Sequence, residues 1–280
     1  MAANDICSSA TYGRDLNFLV YIHTAVVNWK KRKLIRNSWG SLDNQRRFRF
    51  RIIFFIGVDR RRHPRWSFLP ARWSAAMENR NKRWLREEIS GHGDIVQASF
   101  VDSYRNMTLK ALTAMSWVEK YCHQVEYIVK LDDDVYLNVP RLLEKIPTYF
   151  SPQSTGSNSG PPGLTCHVPT NNIPMREKFQ KWFVTSQEYS GEFYPDYCFG
   201  YGYVLHIDTL LRLNEVAQRT VPLFWIDDVF ITGIIRQVAG LAIRNISHEY
   251  KEVPFRPSIY TRDAFFGKTI FHLVLRKIET

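Results

Sequence analysis

Short apolar runs of strand length recur along the first half of the chain, separated by polar or amphipathic stretches. Phe18 to His23 (FLVYIH) is the first, and the basic segment Asn28 to Trp39 that follows predicts a helix. Ile52 to Val58 is β-branched and aromatic and ends near Asp59, and Asp94 to Ser99 is a third run. Leu109, Leu112, Trp117 and Tyr121 lie roughly at helical spacing and predict a helix over Thr108 to Cys122. Tyr127 to Leu131 is a fourth strand and runs directly into Asp132, Asp133 and Asp134. Strands alternating with helices predict βαβ units, hence an α/β fold with a mostly parallel central sheet flanked by helices. Ligands of such sheets bind beyond the carboxyl ends of the strands, which is where the three aspartates fall.

The strongest loop signal is the Ser-, Gly- and Pro-rich stretch Ser151 to Gly163. It separates a first half, 18–150, from a second, 164–275, with 1–17 as an N-terminal extension. There is no internal repeat. No apolar run reaches the roughly 20 residues of a membrane helix; Phe18 to Val27 comes nearest and is broken by His23 and Thr24. The N-terminus has no basic start leading into an apolar block, so it does not read as a signal peptide. With 280 residues, 45% hydrophobic and 23% charged, the chain reads as folded, globular and soluble. Disordered, collagen-like and coiled-coil classes are excluded.

Charge changes the picture only locally. Residues 46–86 hold 13 Lys or Arg against Asp59 and Glu78, an excess equal to the +11 of the whole chain. A nucleic-acid binder would spread its excess along a face or helix. Here it is one block containing Arg60 to Arg65, either a solvated loop after a strand or a patch facing anions. The four cysteines, Cys7, Cys122, Cys166 and Cys198, are widely spaced with no C-x-x-C pair, which argues against a zinc or thioredoxin-type site. They are either disulfides of an oxidising compartment or buried thiols of a reducing one. Asn106 and Asn245 head glycosylation sequons.

Three carboxylates closing an apolar strand are costly, since like charges repel and each resists desolvation. On an extended chain Asp132 and Asp134 would project to one side, a pair of hard oxygen donors suited to Mn²⁺ or Mg²⁺; the alternative is a solvated acidic turn. A second pair, Asp227 and Asp228, follows an apolar stretch and opens the apolar segment Val229 to Ile235. It reads either as a helix N-terminus, which favours Asp, or as a general base on a pocket floor.

Taken in order, the motifs resemble the β-1,3-glycosyltransferases, the galactosyltransferase and N-acetylglucosaminyltransferase group with a GT-A fold. They are Arg32 to Gly40, Phe100 to Lys110, Lys130 to Tyr136, Tyr194 to Tyr203 and Asp227 to Gly233. The resemblance covers roughly residues 16–275 and implies one domain over 18–275. Its first half would bind the nucleotide sugar and its second half the acceptor. Asp132 to Asp134 would be the D-x-D element, with Asp134 as metal ligand and Asp132 near the ribose. His272 would be a further ligand of the Mn²⁺ or Mg²⁺.

The donor site would comprise Arg32, Arg36, Asp102, Lys110, Asp132 and Asp133, and Asp228, beside Asp227, would be the catalytic base. Tyr197, Gly200, Tyr201, Gly202 and Trp225 would form the acceptor pocket. The implied reaction is inverting transfer from a UDP-sugar to a glycan, with galactose ranked ahead of N-acetylglucosamine and N-acetylgalactosamine. The family is typically Golgi-resident and membrane-anchored, so membrane association is implied although no spanning segment is visible. This chain has Asp227 where the family usually has Glu. Two other classes compete: an inactive UDP- or glycan-binding relative, and a polyanion binder acting through residues 46–86.

Overall fold

The computed structural model describes residues 6–7, 16–59, 83–149, 163–254 and 269–275. The Arg60 to Arg65 run, most of the basic block and the Ser151 to Pro162 stretch lie outside them.

The strands are β1 (Phe18–His23), β2 (Phe50–Val58), β3 (Ile95–Val101), β4 (Tyr127–Asp132), β5 (Val135–Leu137), β6 (Leu164–Cys166), β7 (Gly202–His206), β8 (Ile243–Asn245), β9 (Tyr250–Pro254) and β10 (Phe271–Leu275). The helices are α1 (Trp29–Arg36), α2 (Leu42–Arg47), α3 (83–92), α4 (Met107–Tyr121), α5 (Val139–Tyr149) and α6 (Ile207–Gln218). A π-helical segment, Val229–Ile235, continues into the short α-turn Arg236–Val238.

The main sheet has seven strands in the order β3-β2-β1-β4-β7-β6-β8. Strands β3, β2, β1 and β4 are mutually parallel, β7 is antiparallel to both neighbours, and β6 and β8 return to the common direction. The expected α/β architecture with a mostly parallel sheet is present. Its four parallel strands are those the apolar runs predict, β2 beginning two residues early at Phe50. A smaller sheet, β5-β10-β9, stands beside it.

The central strands β1, β2 and β4 are almost wholly apolar because both faces are covered, as in a parallel sheet, whereas the edge strand β3 exposes Gln97 and Ser99. Leu19, Tyr21, Ile53, Phe55 and Ile128 face a core shared with α4 and α6. Phe18, Val20, Ile22, Ile52, Phe54, Val129 and Leu131 face the opposite core with Trp39, Leu85 and Tyr136. Two disulfides, Cys7–Cys122 and Cys166–Cys198, resolve the alternatives left open for the cysteines. The second ties β6 to the loop before β7.

Strand order reverses direction at β1, since β2 lies on one side of it and β4 on the other. The crevice outside the carboxyl ends of β1 and β4 is therefore the topological switch point, the usual ligand site of such sheets.

Candidate functional site

At the switch point the segment after β1 meets the end of β4. Asp132 is the last residue of β4, in register with His23 of β1, and its N–H is held by the carbonyl of Tyr201 at 2.9 Å. The chain does not stay extended beyond it. Asp133 and Asp134 form a turn into β5, so strand alternation does not set their directions. Asp133 folds back and is buried. Its Oδ2 accepts from Thr24 Oγ1 at 2.6 Å and Asn28 Nδ2 at 2.7 Å, and its Oδ1 is bonded by Lys31 Nζ. It clasps β4 to the loop after β1 instead of facing a nucleotide. Asp132 and Asp134 keep side-chain exposures of 35% and 37%.

Beneath Asp132 lies a buried cation that sequence reasoning overlooked. Lys130 Nζ donates to Asp132 Oδ1 at 2.7 Å and to the carbonyl of Gly200. Burial pushes the ammonium pKa down, but Asp132 and Asp227 more than reverse this and hold it above its ordinary value. Burial also raises Asp132, against the pull of Lys130, to about 7. The available signal was a lysine inside an otherwise apolar strand, two residues before an aspartate and so on the same face. Lys31 was hidden among the basic residues of α1. Its Nζ reaches Asp134 Oδ2 at 3.2 Å as well as Asp133, and these two carboxylates raise its pKa against burial.

The residues expected at the donor nucleotide divide into two groups. Lys110 Nζ pairs with Asp102 Oδ1 at 2.7 Å and donates to the Thr24 carbonyl at 2.7 Å, while Asp102 Oδ2 accepts from Gly57 N at 3.1 Å. This buried pair joins the carboxyl ends of β1, β2 and β3. Arg32 and Arg36 are a correction. Arg32 is fully buried, with Nε and Nη2 on Glu88 at 2.9 and 2.6 Å and further bonds to the carbonyls of Ala25 and Val26. Arg36 bonds Glu88 at 2.7 Å and Asp94 at 2.8 and 2.7 Å. Through Glu88 both guanidinium groups pin α1 to α3, and Arg36 alone ties it to the start of β3 as well.

On the other side of Lys130 are Asp227 and Asp228. Asp228 caps the Val229–Ile235 helix, its Oδ1 accepting from Val229 N at 2.8 Å. The helix-start reading of Asp228 therefore holds. Its Oδ2 lies 3.1 Å from where a Cβ on Gly200 would be, so the glycine leaves that oxygen space. Burial and the neighbouring Asp227 charge raise Asp228 to about 7. Burial also pushes Asp227 up, but His23 and Lys130 outweigh it and leave Asp227 below its ordinary value. His23 Nδ1 is 3.6 Å from Asp227 Oδ2, and burial lowers the His23 pKa to about 4, so the ring is neutral. Two adjacent carboxylates are thereby driven apart, one ionised and one poised near neutrality, the condition for an acid–base group.

The expected acceptor residues lie around this pair. The Tyr197–Tyr201 loop is fixed by the Cys166–Cys198 disulfide, by Thr232 Oγ1 accepting from Cys198 N at 2.8 Å, and by Lys130 on Gly200. Tyr197 is buried beside Tyr194 and Phe199, and Tyr201 lies against Phe199 at 4.3 Å. Trp225 stacks on Trp182 at 5.8 Å, with Arg105 over its ring at 4.2 Å. Gly202 is a correction: a Cβ there would meet Leu131 Cδ2 at 2.7 Å and the Lys130 carbonyl at 3.1 Å. It is glycine so that β7 can pack on β4. Asn106 donates to the Val101 carbonyl at 2.8 Å and its sequon partner Thr108 is buried, whereas Asn245 is exposed.

Among the described residues no three His, Cys, Asp or Glu side chains converge as a ready metal cluster. β10 does reach the acidic turn, since Val274 N donates to the Asp134 carbonyl at 2.9 Å and His272 stands opposite Tyr136. The His272 ring, however, bonds Thr269 through Nε2 at 3.1 and 3.2 Å, and burial lowers its pKa. The carboxylate donors do fit a hard divalent cation. Two half-buried carboxylates stand at the end of β4 and in the turn after it, and a tethered ammonium already rests on Asp134 as a stand-in positive charge.

The site is thus a carboxylate-rich crevice at the switch point of an α/β sheet, with one carboxylate raised to about 7 beside a Tyr/Gly loop. The galactosyltransferase family model matches residues 73–247. Human beta-1,3-galactosyltransferase 4 is 32% identical over 247 residues, covering 80% of this chain and 61% of the relative. Human beta-1,3-galactosyltransferase 5 is 27% identical over 245 residues, covering 88% and 68%. The Danio rerio lactosylceramide 1,3-N-acetyl-beta-D-glucosaminyltransferase A is 27% identical over 267 residues, covering 92% and 63%. The chain belongs to the galactosyltransferase family, and it spans 61% to 68% of the length of these three relatives.

Proposed function

We propose that this protein is an inverting, metal-dependent β-1,3-glycosyltransferase that moves galactose from UDP-galactose to the 3-hydroxyl of an acceptor glycan. The observation that carries the reading is the separation of Asp227 from Asp228: one carboxylate is held ionised by its neighbours, the other raised to about 7 beside Gly200. N-acetylglucosamine is the alternative donor sugar, since the relatives named for it match over a similar span.

Asp228 accepts the proton of the acceptor hydroxyl as that oxygen attacks the anomeric carbon. The carbon–oxygen bond to UDP breaks on the opposite face, and the diphosphate leaves with the bonding electrons. Asp227 keeps its charge and so keeps the Asp228 pKa high. Lys130 fixes the carbonyl of Gly200 and with it the loop beneath the acceptor. Asp132 and Asp134, with His272 turned from Thr269, would hold a Mn²⁺ or Mg²⁺ ion. Such an ion supplies positive charge against the departing diphosphate. One carboxylate acting as base distinguishes this chemistry from glycoside hydrolysis, which needs a pair across the bond. The two disulfides favour an oxidising compartment, in keeping with a Golgi site of action. Among the described residues no helix is long and apolar enough to cross a membrane.

Thermal unfolding with Mn²⁺, UDP and both together tests the reading. A ligand that binds only the folded state stabilises it by about 2.7 kcal/mol at a hundred times its Kd. A rise in midpoint that needs both ligands, and that disappears in Asp134→Ala, is expected. UDP release from UDP-galactose in the presence of a galactose- or N-acetylhexosamine-terminated acceptor then identifies the transfer. A folded wild-type chain that responds to neither ligand, alone or together, would sink it.

A further inference from the structure

Lys31 stands where positive charge is needed, yet the mechanism above gives it no task. Its ammonium bridges Asp133 and Asp134, and the two contacts are unequal. Asp133 is buried, and its other oxygen is already taken by Thr24 and Asn28 at 2.6 and 2.7 Å, so the Lys31–Asp133 contact is anchored on every side. The contact to Asp134 is 3.2 Å, longer than the 2.7–2.9 Å usual for charge-assisted bonds, and it reaches the more exposed carboxylate. Lys31 is therefore tied through Asp133 and only leans on Asp134. Helix α1 carries it three residues after the helix cap Asn28, which shares the same Asp133.

We infer that Lys31 couples cation and nucleotide binding, acting as the countercharge of Asp134 while the site is empty and as a diphosphate contact once a divalent cation takes that carboxylate. This rests on the glycosyltransferase reading and deepens it. A divalent cation arriving alone at Asp134 meets the Lys31 charge a few ångströms away and binds weakly. A diphosphate arriving alone meets the Asp132 and Asp134 carboxylates and binds weakly too. Together they neutralise each other, and Lys31, freed from Asp134 but anchored at Asp133, lies beside the phosphates. Each ligand then raises the affinity for the other by the same factor, as linkage demands. Lys31 is a positioning and coupling residue in this account and takes no part in bond making.

The charge-removing variants Lys31→Met and Lys31→Gln and the charge-keeping variant Lys31→Arg test this through metal binding, read by the free-Mn²⁺ electron paramagnetic resonance signal and by calorimetry with and without UDP. Removing a unit charge near a divalent ion at a half-buried site is expected to tighten binding of Mn²⁺ alone on the order of tenfold. The same change is expected to weaken UDP binding at saturating Mn²⁺ by about tenfold, while Lys31→Arg keeps both wild-type values. A merely structural lysine would not tighten metal binding when lost. Lys31→Gln retains a hydrogen-bond donor toward Asp133 and carries the test if Lys31→Met does not fold. Unchanged or weaker Mn²⁺ binding in the charge-removed variants, with wild-type binding intact, overturns the inference alone. Absence of joint Mn²⁺ and UDP binding in the wild type overturns the glycosyltransferase reading, and the inference with it.

Discussion

The molecule carries two acidic clusters of nearly the same composition, and their surroundings give them opposite characters. Asp132 to Asp134 end a strand at a turn with Asp133 buried and its two neighbours half-buried, where Lys31 and Lys130 supply nearby positive charge. Asp227 and Asp228 open a helix between β1 and the Tyr/Gly loop, with neutral His23 on one side and Lys130 beneath. The first cluster gathers cations. The second divides its titration, because His23 and Lys130 favour the ionised Asp227 while burial and the Asp227 charge together raise Asp228. Residue type therefore does not set the role of an aspartate here; the placing of cations around it does. Lys130 acts on Asp132, Asp227 and Asp228 and links the clusters.

The comparison breaks most visibly at the base. Asp228→Asn is expected to lower kcat by about a thousandfold while leaving the joint Mn²⁺ and UDP thermal shift in place, whereas Asp134→Ala removes the shift itself. If Asp228→Asn kept wild-type turnover, the second cluster would be only a helix cap. Next in size is the link. Lys130→Met leaves buried carboxylates without their cation and is expected to cost about 3 kcal/mol of stability, measured by denaturant unfolding. A neutral result would show that the two clusters are independent.

The smallest effect is the dependence on pH. As the proposed base Asp228 would have to be ionised, so kcat is expected to rise with pH through about 7 and level off above it. The stability contribution of the same group runs the other way. Its folded pKa lies above the ordinary 3.8, so the folded state binds the extra proton between those values and stability falls as pH rises through that window. Asp132 is raised to about 7 as well, so Asp228→Asn should make this slope shallower without removing it, and should unfold later than wild type above pH 7. A wild-type rate that falls across pH 6 to 8 would assign the poised group to an acid.

The two arginines of α1 sharpen a different lesson. A basic-aromatic motif ahead of a nucleotide crevice suggests phosphate contacts. Arg32 and Arg36 instead face Glu88 and Asp94, residues 52 to 58 positions later in the chain. No local pattern contains that pairing. Gly202 is a similar case, since its space is filled by Leu131 from another strand. Asp133, one of three identical neighbours, is singled out only because Thr24, Asn28 and Lys31 converge on it.

What the sequence by itself determined is the frame. The alternation of apolar runs and amphipathic stretches marks β1 to β4 and α4, because a strand with at least one face in the core must be mostly apolar and a covering helix must repeat near 3.6. The position of three aspartates at the end of such a strand marks the crevice as well. Tertiary structure alone decided the rest. The short strands β6 to β9 carry too few residues for a period to show, and they exist because neighbouring strands complete their hydrogen bonds. The division of labour among five aspartates followed from which cations and dipoles the fold brought within a few ångströms of each, since electrostatic interaction depends on distance in space and on local burial, neither of which the order of residues records.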